Sequence, residues 1–116
     1  MDLLSSSLNA AAVTQVVTGS VEVRNKGASG CPASPWTPAQ AAPRINTFKI
    51  TFEEAFESPP VVTAFFTYFD INRKGGTNLR LRLEVSDVTA TGFTLVVGTW
   101  CNSSIFKVEV TWQAIG

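Results

Sequence analysis

The chain has 116 residues, 45% of them apolar, enough for one globular domain with its own core and far from a disordered composition. Nine basic and nine acidic residues cancel, so no overall field draws the protein to nucleic acid or an anionic membrane, and no nucleic-acid partner is expected. Histidine is absent; two cysteines cannot complete a zinc site and the carboxylates are scattered, so the expectation is a non-enzyme with no metal and no cofactor.

Residues 1–17 are helix-tolerant, with Leu4, Leu8 and Ala11 or Ala12 roughly on one side; helix, edge strand and tail all remain open. Residues 1–19 are expected to be an N-terminal extension or connector, and 20–116 the domain. Met1–Leu4 has no basic n-region, and the apolar stretch after it is broken by Ser5-Ser6-Ser7. The expectation is a soluble protein without a recognisable signal peptide or membrane insertion, its location unassigned. Ser20–Arg24 alternates and reads as a first strand. Asn25–Pro43 then holds four of the six prolines with Gly, Ser and Ala, a long loop. Within it Trp36 stands among small residues, either as a plug for the core or as a binding surface.

Asn46–Phe52 sets Phe48, Ile50 and Phe52 on one face against Thr47, Lys49 and Thr51, a half-buried strand. Pro59-Pro60 bars a central strand there. Val61–Ile71 is apolar on both faces and calls for two covers, a facing sheet and a loop or second subunit. After the Gly75-Gly76 turn, Leu79, Leu81, Leu83 and Val85 alternate with Arg80, Arg82 and Glu84. A turn at Thr89–Gly92 leads into Gly92–Gly116, which reads as two strands joined by the short polar turn Cys101–Ser104, in the manner of a hairpin. In the second of them Phe106, Val108, Val110 and Trp112 are expected on the buried face. These short alternating strands with turns between them imply an all-β protein, a six-stranded antiparallel β-sandwich. Cys31 and Cys101 are either one disulfide or two free thiols.

The motifs resemble one family. In order they are Trp36, I-T-F at Ile50–Phe52, P-P-V-V at Pro59–Val62, Asp70, N-L-R at Asn78–Arg80, D-V-T-x-x-G-F at Asp87–Phe93, T-W at Thr99-Trp100 and V-x-W-x-A at Val110–Ala114. This series is similar to the H-type lectin domain, found in snail agglutinins and at the C-terminus of discoidins, over about residues 20–116. The resemblance implies a sandwich that assembles as a homotrimer, or as a hexamer of paired trimers, and binds glycans or glycoconjugates of the N-acetylgalactosamine or galactose type. A subunit interface would then cover Val61–Ile71.

The resemblance also implies carbohydrate-binding positions. Trp100 matches the tryptophan whose ring lies against the sugar, and Arg80 the arginine whose fork of donors suits vicinal hydroxyls. Cys101 stands where the snail agglutinin has a histidine, and Phe106 where it has a tyrosine. Ile45, between Arg44 and Asn46, takes the place of an aspartate that holds sugar hydroxyls, with Asn46 or Gln40 as substitutes. Secreted snail members also tie the N-terminal segment to the strand before T-W by a disulfide; Cys31 lies near the first position and Cys101 a few residues past the second. These departures leave an alternative, a trimeric structural or assembly module on a virion or cell-surface structure that has lost sugar binding.

Overall fold

The computed structural model describes residues 15–27, 43–73, 79–101 and 103–116. The first fourteen residues, the Gly/Pro loop with Cys31, Trp36 and Gln40, and the Gly75-Gly76 turn lie outside them. Six strands run through the described residues: β1 (Val16–Lys26), β2 (Arg44–Thr51), β3 (Val61–Arg73), β4 (Arg82–Ser86), β5 (Gly92–Thr99) and β6 (Ser103–Ile115). They form two antiparallel three-stranded sheets, ordered β1-β6-β3 and β2-β5-β4, the expected all-β sandwich. Among the described residues no helix is long and apolar enough to cross a membrane.

The last two strands do not form a hairpin. β5 is the centre of one sheet and β6 the centre of the other, and the chain passes from one sheet to the other between Thr99 and Ser103. The reason lies in their apolar faces. Phe93, Leu95 and Val97 on β5 need a cover, and so do Val108, Val110, Trp112 and Ala114 on β6; crossing over turns the two sets toward one another. All seven are buried, and removing such surface from water contributes about 25 cal/mol per Å2.

At the far end of the sandwich from the crossover an aromatic cluster closes the core. Phe93 meets Trp112 edge-on at 5.1 Å, and Phe52 lies 5.0 Å from Phe56 and 6.0 Å from Trp112. Phe56 belongs to the segment after β2, which is laid across the sheet end by hydrogen bonds from the Phe52 and Phe56 amides to the Thr91 and Ala90 carbonyls. Trp112 has room because its β1 neighbour is Gly19: a Cβ at that position would collide with the indole.

Three details depart from the alternation read in the sequence. β1 begins at Val16, where Val16 pairs with Ile115 and Gln15 exchanges backbone hydrogen bonds of 2.9 and 3.0 Å with Gly116. Leu79 is exposed and precedes β4, while Leu81, Leu83 and Val85 pack on the core. In β6 the buried series runs Ile105, Val108, Val110 rather than from Phe106. Phe106 has no partner in the β3 ladder, which steps from Asp70–Lys107 to Ile71–Ile105, and opposite it on β1 Asn25 has a φ of 57°. This bulge inserts one residue into the period of two and leaves Phe106 60% exposed.

The outer face of the β1-β6-β3 sheet is charged in its centre and apolar at its margin. Lys107 bridges Glu109 at 2.9 Å and Glu22 at 3.7 Å, and Arg24 pairs with Glu22. The Arg24 hydrogen bond holds the Glu22 carboxyl below its ordinary value, as the Arg82 hydrogen bond does for Glu84 on the other sheet. On β3, Val61, Phe65 and Phe69 remain 70%, 47% and 61% exposed.

Gly19→Val is expected to destabilise the fold by at least about 1–3 kcal/mol, since the indole must move. Ser20→Val, on the exposed face next to it, leaves the urea midpoint nearly unchanged. Both lowered carboxyls contribute stability above the ordinary value of 4.5, and it is lost as the pH falls through their lower folded values. A melting curve taken down through that range therefore declines, and less so in Glu22→Gln and Glu84→Gln; being exposed, these pairs add little.

Candidate carbohydrate site at the strand crossover

The crossover is held from inside by an arginine. β2 alternates Arg44, Asn46, Phe48 and Ile50 toward the facing sheet, paired with Thr99, Val97, Leu95 and Phe93 of β5. Arg44 therefore enters the sandwich at its end, where its guanidinium donates to the Cys101 carbonyl at 3.0 Å and the Ser103 carbonyl at 2.5 Å. Burial pushes its pKa down, and charge-assisted bonds to two carbonyls offset that loss of hydration. In the sequence Arg44 is marked only as the neighbour of Ile45. Its place at the head of a run that continues Phe48, Ile50 was the available signal.

Arg80 is fixed through its backbone. The Thr99 hydroxyl donates to the Arg80 carbonyl at 2.6 Å, and the Arg80 amide donates to the Ser103 hydroxyl at 3.1 Å. Thr99 and Ser103 are both buried, so the segment before β4 is clamped between the end of β5 and the start of β6. Trp100 follows Thr99 directly and is partly exposed. The structure thus brings Arg80 and the Trp100 position to one end of the sandwich, through two hydroxyls that sequence reading did not single out.

The structure places the other two expected site residues differently. Cys101 is 0% exposed and disulfide-bonded, with a φ of 61° that turns the chain toward β6. Buried as it is, its side chain offers no exposed surface at the crossover. The chain has one other cysteine, Cys31. Phe106 is carried by the bulge into a groove on the β1-β6-β3 sheet lined with Asn25, Asn72 and Ser104, and neither Arg80 nor Trp100 lines it. Ile45 is exposed on the outer face of β2, while Asn46 turns inward and its Oδ1 is buried without a hydrogen bond. Asn46 is therefore no ready replacement for a hydroxyl-binding aspartate. Among the described residues no cluster of Asp, Glu or Cys could hold a metal ion.

Arg44→Met removes the donors from two carbonyls at the crossover and is expected to destabilise the domain by about 1–3 kcal/mol. Arg44→Lys, able to reach only as a point charge, should fall between it and the wild type in urea denaturation. Lys49→Met, on the exposed face of the same strand, serves as the control.

Comparison with known proteins agrees with this architecture. Recombinant discoidin II of Dictyostelium discoideum superposes with a TM-score of 0.69 at 19% identity, over 93% of this chain and 40% of that one. The tailspike protein gp49 of Pseudomonas phage LKA1 superposes at 0.57 and 20% identity, over 96% of this chain and 15% of that one. At such identities the likeness is one of fold. A Fuscovulum blasticum protein described as ATP synthase subunits region ORF 7 is 35% identical over 74 residues, spanning 64% of this chain and 63% of its own length. The chain therefore spans less than two thirds of these relatives. The H-type lectin domain model matches residues 47–115, which is more than half of the chain and includes β3 to β6, Arg80 and the crossover. The chain belongs to the H-type lectin domain family.

Proposed function

We propose that this protein is a non-catalytic, oligomeric carbohydrate-binding module that holds its glycan at the crossover end through Arg80 and Trp100. The observation that carries the reading is the clamp on Arg80. Its backbone is fixed on both sides, by Thr99 and Ser103, within one residue of Trp100. An arginine whose backbone is held next to the strand end that carries a partly exposed indole would bring directional donors and an apolar face, the two elements a pyranose ring requires. Galactose and N-acetylgalactosamine are the first ligands to try, on the strength of the family. The exposed Val61, Phe65 and Phe69 of β3 support assembly into a trimer or hexamer, with a neighbouring subunit as the second cover that this strand calls for.

A second reading, an assembly module without sugar binding, draws on the same site. The position expected for a hydroxyl-binding carboxylate is Ile45, Cys101 stands in place of a histidine, and Phe106 in place of a tyrosine. Three of the polar partners expected around the indole are thus missing.

The two readings separate in one experiment: a glycan array probed with wild type, Arg80→Ala and Trp100→Ala, with masses from light scattering. Arg80→Ala keeps both backbone hydrogen bonds of the clamp, and the urea midpoint of each variant is measured beside its binding. The lectin reading expects a defined glycan set bound by the wild type and at least about tenfold weaker in each variant, since a charge-assisted bond is worth about 1.5–3 kcal/mol. An oligomer that binds no glycan, or binds the same set as both variants, supports the assembly reading instead. A wild-type mass of one chain overturns the oligomer, whereas Phe65→Lys is expected to dissociate it.

A further inference from the structure

The β6 bulge builds a second polar–aromatic groove away from the crossover. Its volume is about 370 Å3, and Asn25, Lys26, Asn72, Ser104, Ile105 and Phe106 line it. The rows are set by pairing: Lys26 and Ile71 flank Ile105, and Asn72 lies opposite Ser104. Phe106 stands out of the sheet because the β3 ladder skips it and Asn25 opposite takes a left-handed conformation. A left-handed non-glycine residue and a bulge at one point re-aim a single side chain. Here they turn an apolar ring into solvent at 60% exposure and surround it with two amides, a hydroxyl and an ammonium group.

The charges around the groove fix the kind of ligand. No carboxylate is among its described lining residues. The neighbouring cations Arg24 and Lys107 are engaged by Glu22 and Glu109, and among the described residues Lys26 has no ion pair. Asp70, paired with Lys107 across the ladder, is the nearest acidic position on β3 and is not in the lining. Among its described lining residues the groove therefore presents one positive charge, that of Lys26, beside an aromatic platform and a set of neutral donors and acceptors. An apolar peptide side chain would leave those polar groups unpaired, and a neutral sugar would leave the ammonium unused.

The geometry points to a subsite for an acidic sugar: a pyranose whose C–H face rests on Phe106, whose hydroxyls bond Asn25, Asn72 and Ser104, and whose carboxylate meets Lys26. Uronic and sialic acids share that chemistry. The subsite does not depend on the Arg80–Trp100 reading, because no residue is common to both.

The test uses the whole chain and four probes, tetragalacturonic acid and 3′-sialyllactose with galactotetraose and lactose as their neutral counterparts, titrated calorimetrically and by amide NMR. At least one acidic probe is expected to bind about tenfold or more tightly than its counterpart, to weaken as salt rises, and to shift the Asn25 and Asn72 side-chain amide signals. Lys26→Gln, at a half-buried position, and Phe106→Ala, at an exposed one, should each weaken it about tenfold, and Arg80→Ala should not. Galacturonate binding alone marks a uronate site, and sialyllactose binding alone a sialic acid site. The inference is overturned if neither acidic probe outbinds its neutral counterpart, or if Lys26→Gln binds as the wild type does. It is equally overturned if Arg80→Ala abolishes the binding, since the ligand then sits at the crossover.

Discussion

Everything in this domain is hung on the facing of β5 against β6. Two consecutive strands occupy the centres of two different sheets, so each remaining strand adds to an edge that one of them provides. β2 and β4 pair with β5, and β1 and β3 with β6. The apolar alternation on the two central strands is what requires this, because side by side in one sheet their apolar faces would have no cover from each other. Packing the two faces together supplies the main hydrophobic stabilisation, and Gly19 adjusts the fit by admitting the Trp112 ring.

That arrangement has a cost, a sharp chain crossing at one end of the sandwich where backbone carbonyls would be stranded. Arg44 meets the cost from within, by bonding the Cys101 and Ser103 carbonyls, and the Cys101 disulfide braces the same point. With the crossing fixed, Thr99 and Ser103 present inward hydroxyls that hold the segment before β4. The rigid end that results carries Arg80 and Trp100 at neighbouring positions. Structural support and the candidate site are thus the same set of hydrogen bonds, which is why the residues that hold Arg80 are buried while Trp100 stays partly open.

The architecture was legible in the sequence because strands with one buried face write themselves in a period of two. The strands and the sandwich follow from Phe48–Ile50, Leu81–Val85 and Val108–Trp112 with little else. The pairing was less legible: two apolar strands around a short polar turn fit a hairpin as well as a crossing, and only the facing of the sheets decides. The bulge at Phe106 was hidden for a related reason, since Ile105 and Phe106 are both apolar and a shift by one residue leaves the pattern plausible. At the candidate site, Arg80 and Trp100 are expected from the family motifs, whereas Arg44 and Ser103 act through backbone groups, which no residue pattern displays. Cys101 was legible as a cysteine open to pairing, whereas its burial at the turn was not.

The most direct measurement of the central claim is an amide and indole NMR map of the protein titrated with N-acetylgalactosamine. If the crossover is the family's recognition end, the largest shifts fall on residues 79–81 and 99–103 and on the Trp100 indole, with β1 and the outer face of its sheet unmoved. Shifts spread evenly over the surface, or none at saturating sugar, would contradict the account and leave the clamped crossover as a feature of the fold alone.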